Sequence, residues 1–197
     1  MQTSTGLADL SAGAKFSLRG RGLEALASRL VGDAAASRPG GVSKISEAGP
    51  GLACRLTAGH LLLLAASTKT DAVEERLRSP GDGLDLVQID ATSALTNFLL
   101  LGHRSEELLQ TLTAHDVTPE SLPAGRCVET GLAGVQALLV RPVAQPALHV
   151  LIAWDLGEYV WESLLRAGKK LGIVPVGVEA MTVLEGLSGS EGRSLSS

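Results

Sequence analysis

The feature of this sequence that most constrains its fold is an internal repeat, in which one order of strand, helix and turn signals occurs twice. A Phe-x-Leu-x-Gly stretch ends at Gly20, and a second one ends at Gly102, 82 residues later. The leucine-rich segments that end at Leu30 and Leu112 have the same separation, which grows to 84 residues at the proline that follows each segment. Loop insertions between two copies of one fold produce such a slow drift. The repeat therefore predicts two similar units in tandem.

Each unit reads as a strand, a helix, two or three strands and a second helix. Apolar residues recur at helical spacing from Leu23 to Leu30, from Ser105 to Leu112 and from Asp155 to Ala167. Ser105 is the predicted N-cap of its helix. Alternating or continuous β-favouring stretches predict six strands, namely 16–19, 52–56, 60–64, 95–101, 135–140 and 148–153.

These signals predict an α+β protein with two lobes, residues 1–83 and 84–187, followed by a disordered Ser/Gly tail at 188–197. Hydrophobic residues make up 45% of the chain, but only 3% of it is aromatic. The core must therefore consist of Leu, Val, Ile and Ala. The stretch from Leu84 to Ile89 leads directly from one lobe into the other, so we expect the lobes to share a sheet or an interface.

Composition also bears on partners and location. A net charge of −4 without a basic stripe argues against a nucleic-acid partner. The longest apolar run, Leu61 to Ala66, is far shorter than the roughly 20 residues that span a membrane, and the first residues lack a signal-peptide pattern. We expect a cytoplasmic protein in which Cys54 and Cys127 are buried as small hydrophobic residues.

The polar residues of the sequence give only weak evidence for a metal, anion-binding or catalytic site. His103 and His115 are twelve residues apart, which does not suit a shared metal, and are predicted to lie on the surface. The Gly-Arg-Gly turn that ends at Gly22 has the form of an anion site, but a strand-to-helix turn explains it equally well. Asp9 and Asp90 each precede a strand and are predicted to accept turn N–H groups rather than to act as bases.

The remaining candidate residues are serines, considered as nucleophiles, and tryptophans, considered as core or interface residues. Ser11, Ser93 and Ser105 have no histidine or aspartate pattern around them, so no nucleophile is assigned. Trp161 is predicted to lie in the core. Trp154, at a strand end, is predicted to mark a partner surface, because aromatic residues concentrate at interface centres.

The segment from Asp90 to Gly168 resembles the sarcosine oxidase gamma subunit family across its whole length. The matching features are the start Asp-Ala-Thr-Ser, the stretch Leu-Leu-Leu-Gly-His before a helix, and Leu-Pro-Ala-Gly-Arg-Cys-Val-Glu-Thr after it. The segment from Ala167 to Ala180 is similar to the T protein of the glycine cleavage system. The resemblance implies an aminomethyltransferase fold of two ferredoxin-like lobes around tetrahydrofolate, with one-carbon transfer as the chemistry. The barrel that usually follows is expected to be absent.

Three departures from the family pattern concern the folate site. The run from Gly49 to Arg55 has no acidic pair, the run from Pro142 to His149 replaces a turn that carries the pterin glutamate, and Met181 to Glu185 lacks the expected Arg-x-Glu. A pterin ring donates paired N–H groups, and an unpaired buried donor costs about 1–3 kcal/mol. We therefore expect weak tetrahydrofolate binding at most.

The resemblance implies that Arg141, His149 and Glu179 line the cleft between the lobes and bind folate. The repeat favours another interpretation for two of them, since Arg141 matches Arg55 as a structural ion-pair former and His149 matches His60 as a strand histidine. No catalytic residue and no metal ligand is assigned.

Three functions remain open. The first is an auxiliary or non-catalytic subunit that completes a larger flavin- and folate-dependent amine oxidase in one-carbon metabolism. The second is a stand-alone folate-dependent aminomethyltransferase, and the third is a scaffold that keeps only the fold. The predicted partner is the larger oxidoreductase subunit or a second copy of the chain.

Overall fold

A computed structural model describes residues 5–31, 38–45, 51–65, 85–142 and 147–177. The helices in this part are α1 (Leu23–Val31), α2 (Ser105–Gln110) and α3 (Gly157–Gly168). Short 3-10 helices at Trp154–Leu156 and Lys169–Leu171 flank α3. The strands are β1 (Thr5–Asp9), β2 (Lys15–Gly20), β3 (Val42–Lys44), β4 (Gly51–Thr57), β5 (His60–Ala65), β6 (Leu86–Asp90), β7 (Leu95–Leu101), β8 (Arg126–Leu132), β9 (Val135–Arg141), β10 (Ala147–Ala153) and β11 (Ile173–Pro175).

The strands form two sheets that exchange one strand each. The six-stranded sheet has the order β11-β1-β7-β10-β9-β8, and the five-stranded sheet has the order β3-β4-β5-β2-β6. β1 comes first in the chain but pairs antiparallel with β7, whereas β6 pairs antiparallel with β2. Each sheet therefore contains a strand from the far side of the boundary predicted near residue 84.

Apolar side chains alternate along the strands and fill three layers. On one face of the six-stranded sheet, Leu139 and Val150 pack against α2 and α3. On one face of the five-stranded sheet, Leu61 and Leu63 pack against α1. A further cluster joins the opposite faces of the two sheets and contains Val42, Cys54, Leu62, Leu64, Cys127, Leu138, Val140 and Leu151. The helices therefore cover the outer faces, and the sheets pack on each other through their inner faces.

Backbone hydrogen bonds join the sheets at one corner. Gly41 forms an isolated antiparallel bridge with Arg126. The N–H of Val42 donates to the carbonyl of Gly125, and the N–H of Cys127 donates to the carbonyl of Gly40, both at 2.8 Å. The edge strands β3 and β8 are thus held together without a separate connecting element.

Glycine is required where β2 and β7 end. Gly20 has a φ of 143° and Gly102 a φ of 114°, which other residues rarely adopt. At Gly20 a Cβ atom would lie 2.0 Å from the carbonyl oxygen of Asp85. The two matched glycines of the sequence repeat therefore share an unusual backbone conformation.

Most of the sequence predictions for individual elements are confirmed. All six predicted strands and the three predicted helices are present with shifts of a residue or two at their ends. The mixed α and β class with two sheets is confirmed as well, while the ferredoxin-like topology of each lobe and the division at residue 83 stay predictions. Trp161 packs against the core, with its ring centroid 5.2 Å from that of Phe98.

The N-cap prediction for Ser105 was wrong. The N-cap of α2 is Arg104, and Ser105 is the first helical residue, buried with no hydrogen bond from its hydroxyl. Ser105 instead donates its N–H to the carbonyl of Gly102. The turn at Gly102 therefore starts the helix one residue earlier than side-chain capping would.

Candidate functional site

The inner faces of the two sheets carry a small set of polar side chains. His149 is the register partner of Val140, and Asn97 that of Leu151, so both point to the same side as the inter-sheet cluster. Asn97 is buried and His149 half-buried. Their side chains meet, with 3.1 Å between His149 Nδ1 and Asn97 Oδ1.

Burial lowers the pKa of His149 to about 4, so the ring is neutral at neutral pH. An amide oxygen only accepts hydrogen bonds, which means that Nδ1 carries the proton and donates it to Asn97. Nε2 is then the acceptor nitrogen of His149. The pair presents a fixed hydrogen-bond acceptor on the inner face of β10.

A second pair that contains a histidine, formed by Ser17 and His60, lies on the inner face of the other sheet. Ser17 Oγ is 2.9 Å from His60 Nε2, and both residues are half-buried. Burial lowers the pKa of His60, the charge of Arg19 lowers it further, and Glu129 opposes both. His60 therefore has one N–H donor and one acceptor nitrogen at neutral pH, and Nε2 is the nitrogen that is hydrogen-bonded to the Ser17 hydroxyl.

Lys15 is a buried cation next to these pairs. It is 1% exposed, and Nζ donates to the carbonyls of Ser11 and Gly13 at 2.8 Å each and to that of Thr92 at 3.4 Å. Burial lowers the pKa of Lys15, and the charges of Asp9 and Asp90 oppose this shift. The ammonium group therefore ties two turns together.

These two turns have the same construction. Ser11 N–H donates to Asp9 Oδ1, and Thr92 N–H donates to Asp90 Oδ1, both at 2.8 Å. The hydrogen bond from the Thr92 side chain, and next that from its backbone, lower the pKa of Asp90. The predicted role of both aspartates as turn acceptors is confirmed.

The hydroxyl group of each turn crosses to the strand of the other unit. Ser11 Oγ accepts the N–H of Asn97 at 3.1 Å, and Thr92 Oγ1 accepts the N–H of Lys15 at 3.0 Å. The backbones of Lys15 on β2 and Asn97 on β7, whose side chains lie on the inner faces, are thus positioned by equivalent bonds. Sequence reasoning missed both residues, although each immediately precedes a phenylalanine of the 82-residue repeat.

The structure does not bring Arg141 and His149 together. Arg141 follows Val140 on β9, so its side chain points to the helix face of the sheet, opposite to His149. Arg141 Nη1 pairs with Glu106 Oε1 at 2.6 Å, and Nη2 donates to the carbonyl of Val117 at 2.6 Å. Glu179, the third predicted folate residue, lies outside the described residues.

Three other candidate residues from the sequence, Arg21, His103 and His115, lie in the described part of the chain. Arg21, in the Gly-Arg-Gly turn, forms an exposed ion pair with Asp85 at 3.0 Å. His103 is exposed and His115 half-buried. Among the described residues, no three potential metal ligands cluster, and no helix has the length and hydropathy needed to cross a bilayer.

A surface depression between α2 and α3 is unrelated to the inner-face pairs. It holds about 450 Å³ and is lined by residues such as Leu112, Tyr159 and Arg166 on the helix face of the six-stranded sheet. The Tyr159 hydroxyl donates to the carbonyl of Ala133 at 2.7 Å, which fixes the turn between β8 and β9. This depression is open to solvent, whereas the inner faces carry partly and fully buried polar side chains, so the inner faces are the better candidate site.

The architecture of two sheets packed on each other, with helices on the outer faces, defines a class of known proteins, those built on the aminomethyltransferase fold. The glycine cleavage system aminomethyltransferase T of Bartonella henselae has a TM-score of 0.69 at 18% identity, over 87% of this chain and 47% of that one. A chain of the heterotetrameric sarcosine oxidase of Corynebacterium sp. U-96, solved in complex with pyrrole 2-carboxylate, has a TM-score of 0.67 at 19% identity, over 87% of both chains.

Sequence comparison gives the family. The GCVT N-terminal domain family matches residues 1–186. An aminomethyltransferase of Streptomyces avermitilis is 27% identical over 194 residues, which cover 93% of this chain and 52% of that protein. The chain belongs to the GCVT N-terminal domain family, and it spans about half the length of this curated relative.

The described part of the inner faces does not fit a tightly held pterin. A pterin needs a carboxylate opposite its paired N–H donors. Burial is the single cause that lowers the pKa of His149, so no described carboxylate acts on that ring. Asp9 and Asp90 are occupied by turn N–H groups, and Glu129 is an exposed residue beside His60. The remaining groups are an amide, imidazoles, a hydroxyl and an ammonium group.

Proposed function

We propose that this chain is an auxiliary, non-catalytic subunit of aminomethyltransferase fold, similar to the sarcosine oxidase gamma subunit. In this role it packs in the cytoplasm against a larger folate- and flavin-dependent amine oxidoreductase of one-carbon metabolism. The partner supplies most of the groups that bind the cofactors.

The observation that carries this proposal is a group of large apolar side chains left exposed near one edge of the protein. Val87 and Ile89 are 59% and 49% exposed on the edge strand β6. Trp154 is 66% exposed, and its N–H donates to the carbonyl of Ala94 in the turn that follows β6. Edge strands that expose hydrophobic side chains pair readily with other chains, and tryptophan is enriched at interface centres.

Tetrahydrofolate enters this proposal as a weak ligand of the inner faces. His149 and Asn97 supply a neutral acceptor and an amide there, and Glu179 is the carboxylate that the family resemblance assigns to the cleft. In this proposal Arg141 does not touch the folate itself, because its guanidinium pairs with Glu106 on the opposite face of the sheet. It contributes to the cleft only by holding the sheet in place. The subunit thus completes a folate cleft rather than forming one alone.

We further infer that the lobes are duplicated ferredoxin-like modules, with residues 1–83 and 84–187 as the two copies. The equivalent turns at Asp9 and Asp90, with their crossed hydroxyl contacts, support this inference. So do the matched backbone conformations of Gly20 and Gly102. Duplication also gives a reason for the strand exchange, because two similar modules have equivalent edge positions, and the first strand of each can pair at the edge of the other.

A stand-alone folate-dependent aminomethyltransferase is the second candidate. The match to the aminomethyltransferase of Streptomyces avermitilis over 93% of this chain favours it. A scaffold without ligand chemistry is the remaining alternative, and it predicts neither folate nor oxidoreductase binding.

A thermal-shift measurement with 5-formyltetrahydrofolate separates these functions. A ligand at 100 times its dissociation constant adds about 2.7 kcal/mol of stability, which raises Tm by about 5–10 °C in a protein of this size. At a ligand concentration that saturates a complete folate site, the subunit proposal expects a much smaller rise for the isolated chain, because this chain alone binds folate only weakly. A full rise contradicts it and supports the stand-alone enzyme.

Partner binding is tested by co-expression with a flavin-dependent amine oxidoreductase and size-exclusion chromatography. Val87→Lys and Ile89→Lys are expected to abolish co-elution without lowering Tm, because both side chains are exposed. Val174→Lys is the matched control, since Val174 is 50% exposed on β11 at the edge of the other sheet. Equal loss with all three variants, or none with any, contradicts the assignment of the interface to β6.

A further inference from the structure

The two cysteines of the sequence meet in the core. Cys54 lies on β4 of the five-stranded sheet and is 0% exposed, and Cys127 lies on β8 of the six-stranded sheet and is 6% exposed. Both belong to the cluster that packs one sheet on the other. Both are free thiols, and each is the largest influence on the pKa of the other, so the two side chains are neighbours.

The corner between the sheets fixes this contact from both sides. Val42 is the register partner of Cys54 on β4. One residue earlier in the chain, Gly41 accepts the N–H of Arg55 at 2.8 Å, and Gly40 accepts the N–H of Cys127 at 2.8 Å. The same short segment therefore holds the backbone around both cysteines and brings β4 and β8 together at this corner.

The two thiols differ in reactivity. The hydrogen bond from Cys54 lowers the pKa of Cys127, and the charge of Arg126 lowers it further against the opposing effect of burial. The same hydrogen bond and complete burial raise the pKa of Cys54 well above its ordinary value. Cys127 is also the less buried of the two, which makes it the sulfur that meets an oxidant first.

We infer that Cys54 and Cys127 form a redox-active dithiol that closes to a disulfide between the two sheets when hydrogen peroxide reaches Cys127. The Cys127 thiolate attacks one peroxide oxygen, so that an S–O bond forms, the O–O bond breaks and hydroxide leaves as water after protonation. The Cys54 sulfur then attacks the resulting sulfenic acid, which forms the S–S bond and breaks the S–O bond. The second hydroxide leaves with the Cys54 proton as water. Two thiols are oxidised by two electrons, and one peroxide is reduced to two waters.

The test is oxidation of the full chain with one equivalent of hydrogen peroxide, followed by intact mass and thiol titration. The expected product is monomeric, has lost the mass of two hydrogen atoms, has no free thiol after denaturation and recovers both thiols with dithiothreitol. Its Tm is expected to rise, because the bond closes a long loop of the unfolded chain. Protein unfolded in urea before oxidation is the control, and it should instead give disulfides between molecules or overoxidised sulfur.

Single alanine variants assign the order of attack. Cys54→Ala is expected to stop at a Cys127 sulfenic acid that dimedone traps, and Cys127→Ala should lose its thiol at least about tenfold more slowly than the wild type. The wild-type mass decides the inference even if a variant fails to fold. Sulfinic acids without a crosslink, disulfides only between molecules, or thiols that survive peroxide in the folded chain would each overturn it.

Discussion

Replacement of Glu106 by alanine is expected to destabilise the protein far more than the same change at the neighbouring Glu107. Arg141 has a side chain that is 8% exposed, and Glu106 is its carboxylate partner at 2.6 Å. Glu106→Ala leaves Arg141 Nη1 without that partner, next to Arg141 Nε, which is already unpaired and buried. Loss of one partner from a fully buried ion pair costs about 3–5 kcal/mol. The 33% exposure of Glu106 reduces this to about 2–3 kcal/mol, because water reaches part of the site.

Glu107 is the matched control on the same helical turn. It pairs with Arg104 at 2.8 Å, but the side chains are 56% and 37% exposed. Glu107→Ala changes net charge and helix propensity as Glu106→Ala does, yet removes only a solvent-exposed pair, so we expect no resolvable loss. Urea unfolding gives the comparison, and in Tm the Glu106 variant should fall by about 5–10 °C. Glu106→Gln, which keeps an acceptor oxygen, should lie between the two. Equal effects at both positions would refute the reasoning.

Three further predictions follow from buried contacts. His149→Gln should flatten the dependence of unfolding free energy on pH between about 4 and 6.5. In that range the wild type takes up this proton only when it unfolds, so its stability falls by about 3 kcal/mol as pH drops, and an equal slope in the variant would contradict the assignment. Gly20→Ala should cost about 3 kcal/mol or more in urea unfolding, since φ is 143° and the new Cβ would meet a backbone carbonyl, and a near-neutral result would contradict that local geometry. Leu63→Ala, in the core of the five-stranded sheet, should cost about 2–5 kcal/mol and lower the unfolding midpoint reported by the fluorescence of Trp161, which lies on α3 against the other sheet. An unchanged midpoint would mean that the sheets unfold independently.

Local patterns in the sequence were sufficient for the elements that bury a whole face. The strand 95–101 was predicted without error, because its residues are almost all apolar and it lies in the interior of its sheet. The strands 5–9, 42–44, 86–90, 126–132 and 173–175 were not predicted. Those at 42–44 and 173–175 have only three residues each and pair with one neighbouring strand, so their own sequences contain little signal.

The candidate site shows the same division between local and distant information. His149 was recognised by its position on a strand, but its partner Asn97 is 52 residues away and depends on the register between β7 and β10. The opposite directions of His149 and Arg141 follow from a register that the sequence does not display. The contact between Cys54 and Cys127 likewise depends on the corner between the sheets, which no periodicity in either segment indicates.

Strand exchange connects the fold to the position of the inner-face residues. The turn after β1 must reach β7, and the turn after β6 must reach β2, because each preceding strand belongs to the opposite sheet. Those crossings allow the Ser11 and Thr92 hydroxyls to bind the backbones of Asn97 and Lys15. A module whose first strand stayed in its own sheet would lose these bonds and with them the fixed backbone positions of Asn97 and Lys15. The polar groups of this protein are therefore positioned by the association of the two units, and a mutation that weakens either unit should perturb both histidine pairs.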